Sequence, residues 1–206
     1  MSNSLSTVTA LDPSQFARAE QTLVSAFASD PMTGYLFPRS SQRARGLQAI
    51  YRVGLRQGLC YGKVDTAEDC RAVAVWLHSE QSRMNALEML RMGYLAAGLR
   101  MGWGSSRRVL RFLHFLEETR RNSMARPHWY LLSLAVAPEC QVRGLGTMLL
   151  RHGIARAKAQ GFACYLETTR DRNVAFYQKH GFSIAREAPS PNGGPTVWSM
   201  MTAAAA

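Results

Sequence analysis

The sequence predicts a mixed α/β fold, and three observations carry that prediction. An apolar strand pattern over 129–137 runs through a glycine-bearing turn into an amphipathic helix that stops at Gly161. Short strand patterns recur as adjacent arms, 63–67 with 70–77 and 182–187 with 196–201, which read as hairpins. The length of 206 residues suits one domain, 1–206, that buries about 70% of its unfolded surface without a disulfide or metal staple.

In chain order, Asp12-Pro13 is a cap followed by proline at the first helical position, and Phe16, Ala19, Leu23 and Phe27 make an apolar stripe, so a helix covers about 13–28. Residues 30–38, bounded by Pro31 and Pro38, read as a loop with unusual aromatic surface, and Tyr35 and Phe37 are either core plugs or a substrate wall. Ser41 opens a second helix whose Leu47, Ile50, Tyr51, Leu55 and Leu59 face inward, and Gly62 ends it. The second arm of the first hairpin is apolar enough for an interior strand, where Trp76 is core or a pocket floor and Glu80 ends the strand.

From 82 to about 126 the chain loses strand signals and is expected to form a helical insert on the substrate side, as two helices jointed near 102–106. Eight arginines from Ser82 to Asn122 face only Glu88, Glu117 and Glu118, so the segment is either a solvated basic face or a contact for anions. Phe162–Thr168 is a strand, Asp171 caps a helix through His180, and His128, just before the 129–137 strand, is expected at the surface. Met1–Ser6 and Ala203–Ala206 are expected to be disordered.

The turn Gln141-Val142-Arg143-Gly144-Leu145-Gly146-Thr147 opens the helix after the 129–137 strand. The first turn of a helix leaves backbone N–H groups unpaired, and two glycines remove the Cβ atoms that would hold a bulky anion away. A phosphate group fits there. No trailing Lys-Ser/Thr makes it a nucleotide P-loop, and the spacing differs from a dinucleotide fingerprint.

Net charge is +11, yet of 25 basic residues only Lys63, Lys158 and Lys179 are lysines, and the arginines are spread without a basic run. That pattern argues against nucleic acid as a partner. Cys60, Cys70, Cys140 and Cys164 form no C-x-x-C pair and no zinc-like cluster with the histidines, so no metal is expected and the thiols should be reduced in a cytoplasm. No stretch approaches the roughly 20 apolar residues that span a bilayer, so no membrane partner is expected.

The string Val136-x4-Gln141-x-Arg143-Gly144-x-Gly146 resembles the acyl-CoA loop of the GNAT superfamily of N-acyltransferases, and Asn173-x3-Tyr177-x3-Gly181-Phe182 resembles the motif after its fifth strand. Further strings, AFASDP, AVAVWLHSE, YLETT and GPTVWSM, make the chain similar to the puromycin N-acetyltransferase group over most of 7–202. That resemblance implies a central, mostly antiparallel sheet of about six to seven strands, a splayed parallel fourth and fifth pair, and helices on both faces. It implies acetyl-CoA as cosubstrate, gripped by the backbone of Leu134 and Val136, by residues 141–147, and by Asn173, Phe176 and Tyr177.

The implied reaction is direct attack of an amine on the acetyl thioester. The N–H of Leu134 is placed at the developing oxyanion. Tyr177 is placed at the leaving thiolate. Histone-type members carry a glutamate early in the fourth strand where this chain has Tyr130, so Glu167 is the best remaining base or substrate ligand and Glu80 the reserve. With Tyr35, Phe37, Trp76, Glu80 and Glu167 around it, the acceptor is expected to be a small-molecule primary amine, with a peptide or protein amine or a non-catalytic CoA-binding role as alternatives. A monomer or homodimer is expected.

Overall fold

The computed structural model describes residues 7–80, 84–124 and 127–203. The expectations for the two ends, Ala203 apart, and for Ser82, Arg83, Ala125 and Arg126 lie outside the described residues.

Among the described residues seven strands form one sheet in the order β1-β2-β3-β4-β5-β7-β6. They are β1 (Thr9–Ala10), β2 (Gly62–Ala67), β3 (Ala72–His78), β4 (His128–Val136), β5 (Ala163–Thr168), β6 (Phe182–Pro189) and β7 (Thr196–Thr202). Only β4 and β5 run parallel, and every other neighbouring pair is antiparallel. The very short β1, paired with β2, carries no sequence signal of its own.

Among the described residues eight α-helices surround the sheet: α1 (Phe16–Phe27), α2 (Pro31–Leu36), α3 (Ser40–Tyr61), α4 (Ala86–Met92), α5 (Tyr94–Met101), α6 (Trp103–Ser123), α7 (Leu145–Ala159) and α8 (Asp171–Gln178). The α2 segment was expected as a loop. Asp30 accepts from the Met32 N–H and Pro31 follows, which is the same cap-and-proline start as Asp12-Pro13, here opening only six residues. The insert holds three helices rather than two, because Gly93 and Gly102 both take positive φ, 90° and 76°, and break it twice.

Apolar side chains fill both faces of the sheet. On one, Trp76, Trp129, Leu131, Cys164, Leu166 and Met200 pack against Leu149 and Leu150 of α7 and Tyr177 of α8. On the other, Val64, Val73, Val75 and Ala135 meet Leu23 of α1 and Leu47, Tyr51 and Leu55 of α3. A third cluster joins Leu36 and Phe37 to Val109 and Phe112 of α6 and Val197 of β7, which seats α6 beside the β7 edge.

The feature that positions the site is a bulge in β4. Val75 opposes Ser133 while Trp76 opposes Leu131, so Leu132 has no partner of its own. The extra residue switches parity: Trp129 and Leu131 face the α7 side before it, and Leu134 and Val136 pack on that same side after it. Pairing of β4 with β5 stops at Tyr130 opposite Tyr165, and beyond that point the two strands part.

Buried ion pairs fix the surrounding helices. Asp65 of β2 takes both guanidinium nitrogens of Arg156 on α7, at 3.0 and 2.9 Å. Asp30, 8% exposed, pairs with Arg170 at 2.8 Å and accepts from Thr169 Oγ1 at 3.1 Å, tying the corner between α1 and α2 to the end of β5.

Candidate active site

Two separate elements carry the candidate residues on the α7 side of the sheet. The first is the loop from β4 into α7. A single 3-10 turn, Pro138–Cys140, is followed by Val142 with φ 65° and Gly144 with φ 81°, after which α7 begins at Leu145. No backbone N–H from Val142 to Thr147 donates to an acceptor among the described residues. A Cβ built on Gly144 would meet nothing within 4 Å, whereas one on Gly146 would come 3.4 Å from Val136 Cγ2. Gly144 therefore leaves the amides open to an approaching group, and Gly146 lets the first turn of α7 close against the end of β4.

Side chains of this loop turn away from the amides. Gln141 Nε2 donates to the Val136 carbonyl at 3.3 Å, Arg143 pairs with Glu68 at 3.1 Å, Val142 is fully exposed, and Leu145 is buried in the α7-side core. The unpaired N–H groups at a helix start suit a diphosphate, and with no side-chain cap on Gly144 nothing competes for them.

The second element is α8. Tyr177 sits in the α7-side core, 8% exposed, with its ring edge-on to Phe176 at 5.2 Å and to Phe182 at 5.7 Å. Its hydroxyl has no hydrogen-bond partner among the described residues, and burial pushes its pKa well above that of a free phenol. Asn173, one helical turn earlier, donates to Thr168 Oγ1 at 3.2 Å and so pins α8 over the end of β5. Leu134 and Val136, half-buried, lie on the stretch of β4 beyond its last pairing with β5.

On the opposite face of the sheet a polar cluster surrounds Glu167. Tyr165 and Glu167 alternate with the core residues Cys164 and Leu166, and Ser199 of β7 lies directly across from Glu167. Burial pushes the Glu167 carboxyl up to about 7, against the opposing pull of hydrogen bonding from the Tyr130 and Tyr165 phenols and of the Arg120 cation, with the Glu117 charge raising it slightly. Both phenols are themselves raised, first by burial and then by Glu167, so they stay protonated.

Three atoms here, Glu167 Oε1, Tyr165 OH and Ser199 Oγ, are sealed from solvent without a hydrogen bond of normal geometry. Tyr165 interacts with both Glu167 and Ser199, so the three groups partly satisfy one another at a depth where a wholly unpaired polar atom would cost about 1–3 kcal/mol. Arg120 reaches the cluster from α6, with its guanidinium 5.7 Å from the Tyr130 ring centre and Nη1 3.4 Å from His128 Nε2, and it is paired with Glu117.

Several residues expected at the acceptor pocket lie elsewhere. Phe37 is fully buried, and Gly46 exists to admit it, since a Cβ there would stand 2.3 Å from its ring. Trp76 is likewise fully buried, against Gly153 of α7, so neither forms a substrate wall. Tyr35 is half-buried and spends its hydroxyl on the Pro191 carbonyl at 2.7 Å, bracing the loop between β6 and β7. Glu80 is exposed past the end of β3, and no contact links it to the Glu167 cluster. His128 is 2% exposed rather than at the surface, because it is the first residue of β4 and is covered by Tyr165 and Arg120.

Arg120, Tyr130, Tyr165 and Ser199 were not singled out as site residues. Tyr165 and Ser199 had a signal, a hydroxyl inside an apolar strand, but Arg120 looked like any other arginine of the insert. No group of three or more His, Cys, Asp or Glu side chains among the described residues is arranged to hold a metal ion.

Residues 98–182 match the acetyltransferase (GNAT) family, a span that includes the parting strands, the 141–147 loop and Tyr177. The chain is an acetyltransferase of the GNAT fold. It is similar to a Corynebacterium glutamicum structure described as histone acetyltransferase HPA2 and related acetyltransferase, with 27% identity, TM-score 0.69 and coverage of 98% of this chain and 97% of that one. A Drosophila melanogaster polyamine N-acetyltransferase superposes with TM-score 0.61 at 16% identity, covering 95% of this chain and 98% of that one. Among curated sequences, an uncharacterised N-acetyltransferase of Schizosaccharomyces pombe is 22% identical over 178 residues, 84% of this chain and 72% of the relative. GNAT acetyltransferases take their acetyl group from acetyl-CoA.

Proposed function

We propose that this GNAT acetyltransferase acetylates the primary amine of a small molecule, with Glu167 as general base and Tyr177 as hydrogen-bond donor to the departing sulfur. The observation that carries the reading is Glu167, a buried carboxyl on β5 pushed up to about 7 and ringed by Tyr130, Tyr165 and Ser199, with Tyr177 in the core on the other face of the sheet. Bound acetyl-CoA would supply a thioester carbon open to attack. The free amides of 142–147 and the backbone of Leu134 and Val136 would hold it, and the Leu134 N–H is the assigned donor to the developing oxyanion.

An alkyl ammonium with pKa near 10.4 must lose a proton at a cost of about 4.6 kcal/mol at pH 7, but an α-amino group at only about 1 kcal/mol. A carboxylate held near 7 is matched to the first task, so an alkyl amine is the assigned acceptor. Glu167 takes the proton at Oε1, and the phenols of Tyr130 and Tyr165 stabilise its charged form. Helix α6 packs beside β6, β7 and the loop joining them, and in this reading it covers the end where an extended peptide would lie. Release of free thiol from acetyl-CoA across a panel of polyamines, arylalkylamines, aminonucleosides and aminoglycosides tests it, and faster acetylation of tryptic peptides than of every small amine would refute it.

The base must be deprotonated to act, so kcat/KM should rise with pH through about 7 and then level. Glu167→Gln should remove that acid limb and lower kcat/KM at pH 8 by about 10- to 100-fold. An unchanged limb would remove Glu167 from the reaction. Arg120 favours the carboxylate form, so Arg120→Met should move the limb to higher pH while Arg120→Lys restores part of the shift. A pH–rate profile of both variants checks it, and overlapping profiles would confine Arg120 to packing.

A further inference from the structure

Of the eleven large apolar side chains that stand exposed among the described residues, eight lie within 87–113, on α4, α5 and α6. Leu95 and Leu99 are one turn apart on α5, at 61% and 77% exposure, and Trp103 and Leu110 are two turns apart on α6, at 86% and 62%. These helices already bury a different stripe: Ala97 packs on Ala49 and Val53 of α3, while Val109 and Phe112 enter the cluster with Phe37. The outward apolar stripe is therefore surplus to folding. The two helices lie side by side, with Ser106 Oγ donating to the Gly98 carbonyl at 2.9 Å.

Between those apolar residues stand Arg100, Arg107 and Arg111, all exposed and none in an ion pair within the described residues. Leu and Trp interleaved with arginine on an outward helical face make a surface that offers both apolar insertion and positive charge. A second copy of this chain would set the same arginines against themselves, on a protein that already carries +11. An anionic bilayer meets both halves, with acyl chains for Trp103 and the leucines and head groups for the arginines.

We infer that the α5–α6 face is a peripheral docking surface for anionic lipid, seated in the interface rather than spanning it. No helix among the described residues is long and apolar enough to cross a membrane, so the sequence offers no spanning signal for such a contact. Charge and apolar exposure on one face, rather than hydropathy along the chain, carry it.

Vesicles of phosphatidylcholine alone and of phosphatidylcholine with phosphatidylglycerol test the surface. At about 0.1 M salt the protein should pellet at least tenfold more with the anionic vesicles, and the difference should shrink at 0.5 M salt. Trp103 is its own reporter, since Trp76 and Trp129 are buried and Trp198 half-buried, so its emission should move to shorter wavelength on binding. Trp103→Phe should keep the pelleting and lose the spectral shift, while Leu99→Ser with Trp103→Ser should lose both. The absence of anionic-vesicle pelleting would overturn the inference, as would pelleting that survives the double variant. So would a dimer in sedimentation velocity that the double variant dissociates, because it would assign the face to a second copy.

Discussion

Gly144→Asp should abolish acetyl-CoA binding, weakening it at least about 1000-fold in isothermal titration. The substitution puts a carboxylate among six N–H groups that have no acceptor among the described residues, at the proposed diphosphate site. Two like charges about 4 Å apart at an effective dielectric near 20 repel by about 4 kcal/mol, roughly a factor of 1000 in affinity. The fold should survive, because a Cβ at 144 meets nothing within 4 Å and only the positive φ of 81° is strained, at about 1–2 kcal/mol. Gly144→Ala separates the causes, since it carries the same strain without the charge and should weaken binding far less. Normal affinity in the aspartate variant would remove the loop from the site.

Tyr177→Phe should lower turnover about 10- to 1000-fold while leaving acetyl-CoA affinity nearly unchanged, the pattern of a contact made only as the sulfur departs. Because burial raises this phenol, outright proton transfer to a thiolate is uphill by more than the roughly 2 kcal/mol that separates free phenol from free thiol. A strengthening hydrogen bond therefore fits better than a completed transfer. The same variant should not lose stability. The hydroxyl has no hydrogen-bond partner among the described residues, and deleting an unpartnered polar atom in the core is neutral or favourable. A drop in turnover without a drop in melting temperature is the signature, and equal turnover in the two proteins would take Tyr177 out of the chemistry.

Local features were the legible ones. The 141–147 turn, the stop at Gly161 and the Asn173 to Tyr177 helix are written in consecutive residues, and the sheet with its parallel pair matches the fold that the resemblance implied. The bulge at Leu132 was hidden because β4 is apolar on both faces, so a change of parity leaves no trace in its hydropathy. Phe37 and Trp76 could not be assigned because what buries them is a missing Cβ on a distant helix, Gly46 or Gly153. The Glu167 cluster draws on α6, β4, β5 and β7, and no spacing rule links residues so far apart in the chain. Arg120 differs from its neighbouring arginines only by facing inward, which depends on how α6 is rotated against the sheet.

The parted strands also divide the inheritance of the enzyme. In the proposed site the donor side rests mainly on one compact run from Leu134 to Thr147 with Tyr177, whereas the acceptor side is assembled from distant pieces of α6, β4, β5 and β7. Drift in those pieces alters which amine is chosen and leaves the thioester grip untouched, so descendants of one ancestral gene can diverge in specificity while conserving a common currency of acyl supply.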